Sequence, residues 1–190
     1  VIYVGECFAA HEEQTPFPRA MALNKITGEI VWEFIEPNNF TWVGSPIVYE
    51  DYVYFTTYGS GVYALNKSDG TPIWHQNIGT IVCSVAYHDG MVFVSLDTPP
   101  SQYAFNATTG EEIWHVNYGE SWESSPVVYE GMIVQVTFET ITGSPPEKGP
   151  SEEYKHPILR YQAYSTYVLN ETNGEVLHEF KDIGSPSTPL

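Results

Sequence analysis

Positive charge is scarce in this chain. Its 190 residues hold 7 Lys and Arg against 24 Asp and Glu, a formal net charge of −17 with histidine neutral. The basic residues (Arg19, Lys25, Lys67, Lys148, Lys155, Arg160 and Lys181) are scattered and form no patch. A phosphate backbone would be repelled over most of such a surface, which argues against nucleic acid as a partner. Long apolar runs are missing too. No segment approaches the roughly 18 consecutive apolar residues of a spanning helix, so no membrane span is read in the sequence. Cysteine is nearly absent: Cys7 and Cys83 lie 76 positions apart, with no adjacent pair. They are read either as one disulfide or as two free thiols, since spacing alone does not bring them within bonding reach. No Gly-x-Ser-x-Gly, phosphate-binding loop or dinucleotide fingerprint occurs, and no catalytic residue is assigned.

What is present is enough for a core. Apolar residues make up 42% and aromatics 15%, which argues against disorder, and the length suits one domain or part of one. Four segments repeat one pattern: Met21-Ala-Leu-Asn-Lys-Ile-Thr-Gly-Glu-Ile-Val-Trp32, Tyr63 to Trp74, Tyr103 to Trp114 and Tyr167 to His178. In each, an Asn stands four residues before a Gly, and the closing aromatic stands four after it. Gly28, Gly70, Gly110 and Gly174 are spaced by 42, 40 and 64 residues, so the last interval holds an insertion of about 24. A second pattern starts at Ser45, Ser84 and Ser125. Each is a short apolar run, a tight turn (Glu50-Asp51, Asp89-Gly90, Glu130-Gly131) and another apolar run, which is a hairpin signature.

Each unit of about 40 residues therefore holds four short strands, A to D, and none shows sustained helical periodicity. The fold predicted is all-β: a β-propeller of four-stranded antiparallel blades, with about four blades' worth of strands. A single blade cannot bury both faces, so blades must stack side by side. Trp32, Trp74 and Trp114 are read as structural, packing where blades meet. Blade 1 is placed at 1–36 with strands B to D only, blade 2 at 43–78, blade 3 at 82–118 and blade 4 at 123–181. A further strand A is expected over 185–190. Its start resembles Ser124–Val127, so the chain is expected to be a segment of a larger ring.

The pattern Tyr-Ala-Leu-Asn-x-x-x-Gly-x-x-x-Trp, following a Ser-Pro hairpin, resembles the pyrroloquinoline-quinone-type (PQQ-like) propeller repeat. That repeat occurs in quinoprotein dehydrogenases and in BamB-type outer-membrane assembly scaffolds. The resemblance implies closure with seven or eight blades. It covers nearly the whole chain and is specific for fold, not for function. The family usually has Asp where this chain has Asn24, Asn66, Asn106 and Asn170.

Strand order sorts the loops between two sides of the ring. Asn-x-Ser/Thr acceptors stand at Asn39, Asn66, Asn106 and Asn170, the last three in one C-to-D turn position. Three in register suggest a glycosylated face, hence an extracellular, cell-surface or cell-envelope protein; the alternative is that Asn simply serves the turn. Two insertions, Gly5–Arg19 and approximately 138–162, are expected in B-to-C loops on the opposite side, where binding could reside. Trp42 and Trp122, just before strand A, are expected on that same side as a binding face or as blade packing.

The resemblance to quinoprotein dehydrogenases implies a bound quinone, a Ca²⁺ or lanthanide ion and often a vicinal disulfide, and these residues do not assemble that set. His75 and His115 share a position because the repeat does, and His11, His88 and His156 fall in loops or turns; none has zinc spacing. Glu12-Glu13 and Glu152-Glu153 could lend oxygens to Ca²⁺, or be solvated pairs. The functional expectation is a non-catalytic scaffold that binds proteins or glycans without a cofactor. The alternatives are a piece of a PQQ-dependent dehydrogenase, with PQQ as its cofactor, and a self-assembling surface-layer or filament subunit.

Overall fold

The computed structural model describes residues 1–6, 19–38, 42–81, 83–97, 100–118, 124–142 and 160–181. They are all-β. The first sheet has three strands: β1 (Ile2–Gly5), β2 (Arg19–Leu23) and β3 (Ile30–Ile35). The second has four: β4 (Trp42–Tyr49), β5 (Tyr52–Thr57), β6 (Gly61–Asn66) and β7 (Pro72–Gln76). The third is β8 (Ala86–His88), β9 (Met91–Leu96), β10 (Ser101–Asn106) and β11 (Glu112–Asn117). The fourth is β12 (Val127–Tyr129), β13 (Met132–Thr142), β14 (Arg160–Asn170) and β15 (Val176–Lys181). Every sheet is an antiparallel meander in sequence order. Its first strand lies beside the first strand of the next sheet, β1 by β4, β4 by β8 and β8 by β12.

One irregularity recurs in all four sheets. The pairing of the last two strands slips by a residue between Ala22 and Leu23, Ala64 and Leu65, Ala104 and Phe105, and Val168 and Leu169. The slip sets Ala22, Ala64 and Ala104 directly opposite Trp32, Trp74 and Trp114. Opposed residues share a face, and a methyl group leaves room for an indole. In the fourth sheet both partners change together: Val168 faces His178.

The core lies between sheets. Ala20, Ala22 and Trp32 meet Val53, Phe55 and Leu65 across the first gap. Tyr54, Ala64 and Trp74 meet Val92, Val94 and Phe105 across the second. Phe93, Ala104 and Trp114 meet Ile133 and Leu169 across the third. Strand by strand, alternate residues serve alternate gaps, so the apolar runs are two-sided rather than alternating with polar residues.

Two sequence expectations need correction. The long insertion was placed at 138–162, but pairing continues through Phe138↔Tyr164 to Thr142↔Arg160. Thr137, Thr140, Ile141 and Thr142 are β-branched and sustain the extended backbone. Trp42 is expected just before strand A; its backbone instead pairs with Thr57 inside β4.

Candidate binding groove between the second and third sheets

The blade-joining contact is built the same way three times. Trp32 Nε1–H donates to the Lys67 carbonyl at 3.0 Å, Trp74 Nε1–H to Ala107 at 2.8 Å and Trp114 Nε1–H to Glu171 at 2.9 Å. Each acceptor stands three residues before the repeat glycine of the next sheet. Gly70, Gly110 and Gly174 lie flat against those indoles, so that a Cβ would come within 2.5, 2.6 and 2.6 Å of ring carbons. The serines that open the hairpins form a second link: Ser45 N–H donates to Ser84 Oγ at 2.7 Å, and Ser84 N–H to Ser125 Oγ at 2.9 Å.

The repeat asparagines build their own turns. The Gly28, Gly70, Gly110 and Gly174 amides donate to the carbonyls of Asn24, Asn66, Asn106 and Asn170 at 2.8–2.9 Å. The asparagine Oδ1 atoms accept from the amides of Ile26, Ser68, Thr108 and Thr172. Asn24 makes this turn without any acceptor motif, so turn formation alone explains asparagine at these positions.

Above the second core lies an open groove of about 610 Å³. Tyr49, Glu50, Tyr52 and Tyr54 line it from the second sheet, and Tyr87, His88, Asp89, Gly90, Ala107 and Thr108 from the third. Both A-to-B turns and the Asn106 turn border it, so it opens on the tight-turn side. Its four tyrosines form a series of near-parallel rings. Tyr49 and Tyr87 stack at 3.9 Å between centroids, Tyr87 and Tyr54 lie at 6.3 Å, and Tyr54 and Tyr52 at 6.0 Å, with interplanar angles of 23°, 16° and 8°. Tyr54 is fully buried and donates its hydroxyl to the Ala107 carbonyl at 3.2 Å, whereas Tyr49 is 41% exposed. Burial holds the Tyr54 hydroxyl well above the ordinary phenol range and pushes Tyr87 up to about 12, so both stay neutral. Glu50 and Asp89 supply exposed carboxylates, and the Lys67 ammonium reaches the Glu50 carbonyl oxygen at the rim. His88, at the end of β8, sets its Nδ1 2.8 Å from Glu171 Oε2 of the fourth sheet.

Sequence reasoning saw these tyrosines only as hairpin strands. The available signal was the fixed spacing of Tyr52 and Tyr54 on one face. Tyr54 recurs in the repeat as Tyr3 and Tyr49 as Tyr129, whereas Tyr87 stands where the second and fourth sheets have Val48 and Val128. Tyr52 stands where the third and fourth sheets have Met91 and Met132.

Other polar side chains are braced internally. Tyr63 donates to Glu36 Oε1 at 2.9 Å, Glu36 is fully buried, and His75 stacks on Tyr63 at 3.9 Å with its Nε2 2.6 Å from the Ser60 carbonyl. Gln135 Nε2–H donates to the Ser124 carbonyl, and Tyr118 to Gln102. Cys83 is a buried free thiol donating to the Ser95 carbonyl at 3.3 Å, and burial pushes it up to about 12. Cys7, Asn39, Trp122, His11, His156, Glu12-Glu13, Glu152-Glu153 and 185–190 lie outside the described residues. Among the described residues no group of His, Cys, Asp and Glu is arranged to hold a metal ion. Nor do these residues fit a quinone: Trp32, Trp74 and Trp114 are each spent on a glycine, and Cys83 has no cysteine neighbour.

Meandering four-stranded sheets stacked through tryptophan and glycine define a β-propeller of the PQQ-like repeat class. The family model described as outer membrane protein assembly factor BamB matches residues 5–81 and 62–190, and the chain belongs to that family. The fold is similar to BamB from Moraxella catarrhalis (TM-score 0.57, 11% identity, 85% of this chain and 45% of that one). It is similar also to the computationally designed Ika8 protein (TM-score 0.63, 9% identity, 91% and 48%). A quinohemoprotein alcohol dehydrogenase from Pseudomonas putida matches at TM-score 0.53 and 20% identity over 73% of this chain and 20% of that one. The chain thus spans about half the length of the BamB structure, or less of the dehydrogenase. At these identities the likeness establishes the fold alone. No curated protein sequence matches the chain.

Proposed function

We propose that this chain is a non-catalytic propeller scaffold of the cell envelope or cell exterior that binds other proteins. The observation that carries this reading is how the repeat uses its chemistry. The indole N–H groups, repeat glycines and hairpin serines are spent joining sheet to sheet, while the groove between the second and third sheets keeps aromatic and acidic groups at the surface. Rigid scaffolds with recognition at their rims commonly work this way. The family description, an assembly factor of the outer membrane, supports an envelope setting and a protein partner. Acceptor motifs at Asn66, Asn106 and Asn170, on neighbouring exposed turns, support glycosylation and an exterior location. The insertion-bearing side is a second place for a protein or glycan partner.

Cross-linking the protein in intact cells, followed by mass spectrometry, tests this reading. The expected result is a reproducible protein neighbour cross-linked to the propeller in the envelope or medium; recovery only from the cytosol would reject it. The rival reading, part of a PQQ-dependent dehydrogenase, draws on the likeness to the Pseudomonas putida enzyme. Dye-linked alcohol oxidation on adding PQQ and Ca²⁺ would establish that rival.

A further inference from the structure

We infer that the groove between the second and third sheets binds a cationic side chain, a guanidinium or a quaternary or secondary ammonium, presented by a protein partner. The first support is charge. Glu50 and Asp89 flank the groove, none of its lining residues is Lys or Arg, and the whole chain carries −17. Lys67, at the rim, is already held by the Glu50 carbonyl and lies 3.8 Å from Asp51 Oδ1. An anionic ligand would meet the Glu50 and Asp89 carboxylates, with the Lys67 ammonium already engaged at the rim.

The second support is the ring series. Cations are attracted to the faces of aromatic rings within about 6 Å of the centroid. Four tyrosines sit in one groove, and the ring that completes the series, Tyr52, replaces the methionine found at that position in the next two sheets. Methionine fills space equally well but carries no quadrupole. Tyr54 is fully buried, but Tyr49, Tyr52 and Tyr87 keep accessible surface at the groove where a cation can approach.

The third support is size. A volume of about 610 Å³ lies within the roughly 300–1,000 Å³ of small-ligand sites and exceeds what a single side chain needs. The partner's flanking backbone can therefore enter beside the cation. Steering by the acidic surface would raise the association rate and make it sensitive to salt.

The test is a titration of the whole chain with the amides of N-acetyl-arginine and N-acetyl-trimethyllysine, followed by NMR of the tyrosine ring signals. The amide of N-acetyl-norleucine and maltotriose serve as uncharged probes. The cations should shift the Tyr49, Tyr52 and Tyr87 rings, and the uncharged probes should not. Tyr52→Met and Glu50→Gln should each weaken cation binding roughly tenfold, matching a loss of about 1.4 kcal/mol. Glu175→Gln, an exposed acid away from the groove, should leave it unchanged. Equal weakening by Glu175→Gln would reduce the effect to bulk charge, and shifts caused by maltotriose would make this a sugar site; either result overturns the proposal. Tyr49→Leu, at a half-exposed ring, repeats the aromatic test if Tyr52→Met folds poorly. The inference rests on the protein-binding reading. Loss of cation binding with the cellular cross-links retained would sink the groove and spare that reading.

Discussion

Gly70 lies against the indole of Trp32 so closely that a methyl group there would stand 2.5 Å from Cε3. Gly28 has nearly the same backbone, φ +76° against +74°, but meets nothing within 4 Å. The two glycines separate conformational strain from packing.

Gly28→Ala should therefore cost only the left-handed backbone penalty, about 1–2 kcal/mol. Gly70→Ala adds displacement of the indole and of its bond to Lys67, and should cost at least about 2 kcal/mol more. Urea unfolding midpoints of the two variants measure the difference; equal losses would mean that the indole is not anchored there.

Removing the indole N–H should have unequal effects in two gaps. In Trp74→Phe the Ala107 carbonyl still accepts from Tyr54, and the loss should stay near 1 kcal/mol. In Trp114→Phe the Glu171 carbonyl loses its indole donor, because the residue equivalent to Tyr54 is Phe93, and the loss should reach about 2 kcal/mol. Adding Phe93→Tyr should restore part of that stability. Thermal denaturation of the three variants decides the order.

The turn role of asparagine predicts that Asn66→Asp, in protein made without glycosylation, changes stability by less than about 0.5 kcal/mol, since a carboxylate also accepts from the Ser68 amide. Asn66→Ala should cost about 1 kcal/mol. Separately, intact mass of the native protein should fall on enzymatic deglycosylation if Asn66, Asn106 and Asn170 carry glycans.

Alkali should destabilise the protein through its buried thiol and phenols. Burial raises the Cys83 thiol from 9.0, and the Tyr63 and Tyr87 phenols from 10.0, each to about 12. Below the ordinary values both folded and unfolded chains are neutral at these groups and the contribution is whole. As pH climbs from about 9 toward 12, the unfolded chain ionises first and stability drains away. Denaturation midpoints should decline across that window, with tyrosinate absorbance appearing as structure is lost.

The fold was legible because the repeat writes its whole geometry in a few residues. Asn and Gly mark the turn, Ala opposite Trp marks the slipped pairing, and the ladder of hairpins follows. The Ser45-to-Ser84 and Ser84-to-Ser125 bonds were not legible, since a strand-opening serine looks alike whether it bonds its own sheet or the next. The continuation of β13 and β14 to Thr142 and Arg160 was obscured by Pro145, Pro146 and Pro150, which gave the whole insertion a loop-like appearance. The groove was hidden for another reason: it forms only where two sheets converge, and Tyr52 shares that space with Tyr87, 35 positions away.

The tryptophan contact has a direction. The first three sheets each lend an indole forward, and the second to fourth each receive one from behind. Deleting the fourth sheet would strand Trp114 and Phe93 in water, and deleting the first would uncover Val53, Phe55 and Leu65 beside the backbone at Gly70. Shortened versions of this protein should therefore lay bare an apolar face whichever end is trimmed.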